Sequence, residues 1–293
     1  MKKIAIVTDS NSGVTPQEAK SLGDVYVIPM PFTINEQPFL EDIDLDQEGF
    51  YRFLEQNAEV KTSQPEVGYV MDLWEKLLKE YDEIVEIPMS SGLSGSFATA
   101  KMLSDDFDGR VQVVNNQRIS VTQRRSVMDA LALAKKGYDA HAIRKILERD
   151  KFESSIYIMV DTLKYLKKGG RVTAAAAAIG AVFNIKPVLQ INGEKLDAFA
   201  KTRGIRQAKK IIVDAVVNDI KTRVPGGIDG KHYYIDVAHT QNPEEAKALK
   251  QELEGIFPGL ECVVNPLSLS VSCHIGPGAI AAAWVRKVPE LEE

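Results

Sequence analysis

Apolar residues fall in short runs along this chain, each followed by a polar, glycine-containing break and then by apolar positions at helical spacing. Residues 3–8 (KIAIVT) form the first run, which ends in Asp9-Ser10-Asn11-Ser12-Gly13. Thr15-Pro16 then supplies a helix cap with proline at the first helical position. The alternation returns at 83–88 (EIVEIP), followed by SSGLSGS and a helix over 97–103, and at 111–114, followed by a helix through Ala134. Strands alternating with helices predict a parallel sheet covered on both faces. Between these units, 25–34 reads as a proline-punctuated extended stretch and 50–57 and 67–81 as helices, all predicted to be insertions onto the α/β core.

The pattern changes after Asp150. A strand is predicted over 156–160, helical segments around Tyr165 and over 174–179, and paired strands over 187–191 and 195–199 joined by Asn192-Gly193, a strong hairpin signal. A long helix over 205–221, a strand over 233–237, a helix over 243–254, a strand over 261–264 and a last helix from Pro277 complete a mixed α/β region. The expected division is therefore two domains, 1–152 and 153–293, in keeping with 293 residues. The alanine run over 174–178 suits a closely packed helix, and its small side chains would also leave room beside them for a ligand tail.

Composition narrows the function. A net charge of -5, from 36 basic and 41 acidic side chains, repels nucleic-acid phosphates and anionic lipid head groups, so any bound anion must be captured locally. No apolar stretch approaches the length of a membrane span, and the run after Met1-Lys2-Lys3 is too short for a signal-peptide core, which predicts a cytoplasmic protein with no membrane span. The two cysteines, Cys262 and Cys273, form no C-x-x-C pair and read as buried free thiols. The four histidines show no metal-ligand spacing, and SSGLSGS lacks the lysine of a phosphate-binding P-loop.

Several loops carry candidate chemistry. SSGLSGS places Ser94 and Gly95 at the carboxyl end of a predicted strand where a helix opens, a setting that binds anions through backbone N–H groups; an ordinary helix cap at Ser94 is the plainer reading. KTSQP puts Thr62 and Ser63 at a turn into the next helix, again with a cap as the alternative. SCHIGPG places His274 in a Gly-Pro-Gly loop ahead of a helix. Arg171 follows a glycine pair and precedes a helix, an unusual place for a cation, which points to an anion or a partner. KTRGIRQAKK clusters Lys201, Arg203, Arg206, Lys209 and Lys210, either a solvated helix face or a docking patch for an acidic partner. Ser94 and His274 invite a nucleophilic reading, but no G-x-S-x-G elbow and no orienting carboxylate accompany them.

Taken in order, IVTDS, TSQP, SSGLSGS, DTLKYLKKGGRVTAAAAAIG with IKPVL, KTRG and HIGPG resemble the DegV family from Lys3 to about Val285. The resemblance implies a DegV-like two-domain fold: an N-terminal three-layer α/β/α domain with a parallel sheet and a C-terminal two-layer α/β domain with a mixed sheet. It implies that a long-chain fatty acid, about C16 to C18, lies between the domains as ligand, with no cofactor. Its carboxylate would be held by Thr62, Ser94, Gly95 and His274. It implies further that the protein is a carrier and not an enzyme. It would present the acid to a separate, dihydroxyacetone-kinase-like fatty acid kinase for acyl-phosphate formation and phospholipid synthesis. Arg171, Lys201 and Arg203 would serve that encounter. Two departures stand out: Ser96 where the family's SSGLSGT has threonine, and Ser272-Cys273 ahead of His274 where Gly-Thr is common. The alternatives are an enzyme or kinase-like substrate subunit acting on a small carboxylate, and a lipid-responsive regulatory module. Extraction of lipid from the purified protein discriminates them.

Overall fold

The structure is a computed structural model and describes residues 2–174, 176, 185–229, 231–257 and 259–292. Its first region is built on strand β1 (Ile4–Asp9), whose IAIVTD run is buried at every position. Burial on both faces follows from its two-sided packing. Ile4 and Ile6 meet helices α1 (Pro16–Leu22), α5 (Ser120–Lys135) and α6 (Ala140–Arg149), while Ala5 and Val7 meet α3 (Val67–Leu77) and α4 (Ser96–Ser104). The strand pairs in parallel with β2 (Val25–Ile28) and β6 (Glu83–Ile87), and β6 pairs in parallel with β7 (Val111–Val113), giving the order β2-β1-β6-β7. This is the expected three-layer arrangement.

The stretch over 25–34 is not one insertion. Its first half is the edge strand β2 of the parallel sheet, because Val25 and Ile28 bury against the same layers as β1. Only its second half, β3 (Pro31–Ile34), leaves the core, joining β4 (Gln37–Leu40) and β5 (Val60–Thr62) in a small antiparallel sheet over α2 (Gln47–Glu55). Helix α6 goes unmentioned in the sequence reading, although Asp139 caps it by accepting from the Ala142 amide and Ile143, Ile146 and Leu147 bury one face.

The second region is a six-stranded mixed sheet in the order β10-β9-β8-β13-β11-β12. Its strands are β8 (Ser154–Met159), the hairpin β9 (Lys186–Ile191) and β10 (Leu196–Thr202), β11 (Tyr233–His239), β12 (Val264–Pro266) and β13 (Ile280–Arg286). One face packs on α8 (Ile205–Arg223) and α9 (Pro243–Ile256), two layers in all. The other face, through Ile156, Ile158, Leu189 and Ala281, packs on Met89, Leu93, Ile119 and Val121 of the first region. The predicted helix over 174–179 lies largely outside the described residues; Ala174 and Ala176 are helical.

Two predictions near the C-terminus are corrected. The segment after Pro277 is not a helix but β13, a central strand hydrogen-bonded to both β8 and β11, with Ile280 to Val285 all buried. Alanine's helix propensity is overridden there by pairing on both sides and burial on both faces, and so short an apolar run carries no period to betray it. Conversely, His274 is not in a loop ahead of a helix. It sits in the last turn of α10 (Leu269–Ile275), which starts at Ser268, whose hydroxyl accepts from the Val271 amide, and stops at Gly276 with φ +79°. The serine-rich sequence hides the period. The strand predicted over 261–264 begins only at Val264.

Both thiols are free: Cys262 is buried and Cys273 half-buried, and burial pushes each up to about 12. No helix among the described residues is long and apolar enough to cross a membrane.

Candidate functional site

The parallel sheet reverses its strand order between β1 and β6, and the loops leaving the carboxyl ends of these two strands diverge there. In open α/β sheets this crevice is where ligands bind. A cavity of about 180 Å³ occupies it, closed on the far side by α10 and by the end of α7 (Lys164–Gly169). Met30, Met89, Leu93, Ile119, Leu166, Leu196 and Ile275 give it an apolar wall. Thr62, Ser63, Gln64, Ser94, Gly95, Arg171 and His274 give it a polar rim. The candidates Thr62, Ser94, Gly95, His274 and Arg171, spread over more than 200 positions of sequence, thus face one space. Lys201 and Arg203 do not line it; both are exposed, at the end of β10 and in the turn after it.

Separate segments deliver the rim: the end of β5 and the turn after it, the loop before α4, the turn after α7, and α10. Thr62 ends strand β5 and caps nothing, since α3 is preceded by Glu66 without a side-chain cap bond. Ser94 likewise is not the cap of α4. That position is Gly95, and the Ser94 Oγ instead accepts from the Ser96 amide at 3.2 Å and lies 2.8 Å from the Ser96 Oγ. The loop holding Ser94 is pinned by the β9–β10 turn: Ser90 Oγ donates to the Glu194 carbonyl at 3.0 Å, and a Cβ on Gly92 would come within 2.6 Å of that carbonyl oxygen.

The His274 Nε2 is 3.0 Å from the Thr62 Oγ1, and its Nδ1 edge lies flat against Gly169, where a Cβ would stand 2.2 Å from Nδ1. Burial, with the Arg171 charge adding to it, lowers the imidazole to about 4, so it is neutral at pH 7. Arg171 is not stranded at a helix start. Its Nη1 donates back to the Gly169 carbonyl at the end of α7, where the negative end of a helix dipole favours a cation.

Beneath the rim a polar network fixes α10. Asn11 Oδ1 accepts from the Ser268 and Ser270 hydroxyls, and its Nδ2 donates to Asp9 Oδ1 at 3.0 Å. Glu41 accepts from the Ser10 hydroxyl at 2.7 Å and from the Leu269 amide, while burial raises its carboxyl to about 7. Burial likewise raises Asp9, whose carboxylate also accepts from the Met89 amide at 2.8 Å. Asn11, Gln64, Ser270 and Gly169 are not among the site candidates that the sequence offers. Asn11 and Gln64 stand inside motifs already singled out, whereas the role of Gly169 depends on His274, 105 positions away, and leaves no local signal.

Chemically, the site offers hydroxyl and amide donors, a neutral imidazole and one guanidinium at the mouth of an apolar space. That suits an amphiphile with an anionic head. Ser94 and His274 engage different partners, so no serine–histidine relay is assembled. Among the described residues no group of three His, Cys, Asp or Glu side chains is placed to hold a metal ion.

Comparison with known proteins extends over the same length. Residues 3–287 match the family model described as "Uncharacterised protein, DegV family". The chain is 31% identical over 289 residues to Protein DegV of Bacillus subtilis, covering 97% of this chain and 99% of the relative. Its structure is similar to that of DegV, a fatty acid binding protein from Bacillus subtilis, with TM-score 0.85, 30% identity and coverage of 98% and 100%. It is also similar to a DegV family protein from Thermus thermophilus described by its fatty acid binding, with TM-score 0.88, 27% identity and coverage of 97% and 100%.

Proposed function

The chain belongs to the DegV family, and from that premise we propose that it holds one long-chain fatty acid between two domains, 1–152 and 153–293, without transforming it. The observation that carries this reading is the convergence of Thr62, Ser94, Gly95 and His274 on one cavity that also has a wall of Met30, Met89, Leu93, Ile119, Leu166, Leu196 and Ile275. The tail supplies affinity, about 0.8 kcal/mol per buried CH₂ at most, and the head group supplies orientation, about 1.5–3 kcal/mol per charge-assisted hydrogen bond. At about 180 Å³ the cavity is smaller than the roughly 300–1,000 Å³ of ordinary ligand pockets, so uptake of a full acyl chain parts the apolar wall further. A carrier that holds the head group at the cavity mouth leaves the carboxylate open to a second protein. We place the reaction on that partner, an acyl-phosphate-forming fatty acid kinase, with Arg171 beside the head group and exposed Lys201 and Arg203 steering the encounter.

Thr62→Val and Ser94→Ala are each expected to weaken fatty-acid binding by about 1–3 kcal/mol, read by fluorescence titration, with the fold retained. Unchanged affinity with a lowered melting temperature would make both residues structural.

A second expectation concerns pH. Burial, with the Arg171 charge adding to it, lowers His274 to about 4 from an ordinary 6.5. Its folded value is depressed, so the native state binds fewer protons than the unfolded chain, and stability falls as pH drops from about 6.5 to about 4. A carboxylate beside the ring favours the imidazolium and moves the value upward. NMR titration of the imidazole should therefore show a higher value in the loaded protein, and an unmoved titration would separate His274 from the head group.

A further inference from the structure

We propose that Ser96, which does not line the cavity, is a positioning residue that makes the Ser94 hydroxyl a donor toward the bound head group; the inference rests on the fatty-acid reading above. Ser96 opens helix α4 and is buried, at 7% exposure. It stands behind the rim against a small recess shared with Gln64, Glu86 and Thr99. Its amide donates to Ser94 Oγ at 3.2 Å, and its own Oγ lies 2.8 Å from the same atom. A hydroxyl carries one hydrogen and two acceptor positions. The Ser96 amide fills one acceptor position of Ser94, and the Ser96 hydroxyl, donating, fills the second. The only function left to Ser94 is to donate, and the direction left open is the cavity it lines.

A carboxylate accepts and cannot donate, so this is the sole proton arrangement in which Ser94 serves it. In the reverse arrangement the Ser94 hydrogen points at Ser96, and lone pairs face the anion. Donation from Ser96 also polarises the outer hydroxyl, strengthening the bond it makes in turn. Threonine carries the same hydroxyl one bond from its Cβ, so Thr at this position keeps the relay, while alanine leaves Ser94 free to turn its hydrogen elsewhere.

The test is titration of wild type, Ser96→Ala, Ser96→Thr, Ser94→Ala and the Ser94→Ala/Ser96→Ala pair with carboxyl-13C-labelled oleic acid, with melting curves to establish that each variant folds. Ser96→Ala should weaken binding about five- to tenfold and shift the bound carboxyl resonance. Ser96→Thr should restore both to near wild type. The double variant should bind no more weakly than Ser94→Ala alone, since the inner hydroxyl acts only through the outer one. Wild-type affinity in Ser96→Ala, or additive losses in the double variant, would overturn the relay and leave the fatty-acid reading standing. Wild-type protein that takes up no oleic acid would overturn that reading, and the relay with it.

Discussion

Replacing Arg125 by alanine is expected to lower folding stability by about 3–5 kcal/mol, although the residue touches neither the cavity nor its rim. Arg125 lies on α5, the helix that packs on the parallel sheet with one side and on β11 and β13 of the mixed sheet with the other. Its Nε and Nη2 donate to the two carboxylate oxygens of Asp236 on β11 at 2.6 and 2.7 Å, and its guanidinium stacks 4.2 Å from the centre of the Tyr234 ring. The Asp236 side chain is only 3% exposed, so it has almost no water to fall back on, and among the described residues its one further donor is the Val263 amide at 3.1 Å. Exposed ion pairs contribute little, but truncating one member of a buried, two-pronged pair leaves a charge without compensation. Urea unfolding should show a midpoint far below wild type. Arg125→Met combined with Asp236→Leu should recover a large part of the loss, because it removes the stranded charge rather than the pair's net stabilisation. A single-variant loss under about 1 kcal/mol would mean that water reaches Asp236 and that the two regions are joined mainly by their apolar contact.

Gly169→Ala is expected to weaken fatty-acid binding by about 3 kcal/mol or more, a larger effect than removal of either rim hydroxyl. On helix propensity alone the change would be favourable by about 1 kcal/mol, since Gly169 ends α7 with an ordinary helical φ. The added Cβ, however, would stand 2.2 Å from the His274 Nδ1 and 2.9 Å from its Cε1. The ring has to swing away, which breaks its 3.0 Å contact with Thr62 and takes the imidazole out of the rim, so the proposed head-group site loses His274 and Thr62 loses the neighbour that orients its hydroxyl. Overpacking of this kind costs about 1–3 kcal/mol of stability as well. Titration calorimetry beside a melting curve separates the two effects. If affinity stays near wild type while the melting temperature falls, His274 supports the fold and does not hold the ligand.

Where one segment buries one kind of face, its structure was readable from the residues. Ile4 to Val7 read as a strand because four consecutive apolar positions need burial on both faces, and Asn192-Gly193 makes a hairpin because Gly193 takes φ +100° without a Cβ. The misreadings occur where tertiary contacts decide. Ala281 to Ala283 look helical and are a strand, because β8 and β11 flank them. His274 looks like a loop residue and is helical, because Ser268, Gly276 and the carboxylate of Glu41 fix a short helix with too few apolar positions to show a period. The rim candidates came from motif strings, each of which fits a helix cap as well as a ligand site. Their meeting in one cavity is a property of topology, set by the divergence of the loops that leave the adjacent strands β1 and β6 and by the face that the mixed sheet turns toward it. Gly169, Ser96 and the Arg125–Asp236 pair act through partners distant in sequence or through a hydrogen's direction, and neither is written in local pattern.

The central claim is tested most directly by extracting the purified protein with organic solvent and quantifying released lipid by mass spectrometry against protein concentration. About one long-chain fatty acid per chain is expected in wild type, with markedly less in Thr62→Val and Ser94→Ala. Preparations that release no fatty acid, and that take up none when it is supplied, would contradict the assignment of this cavity to a fatty acid.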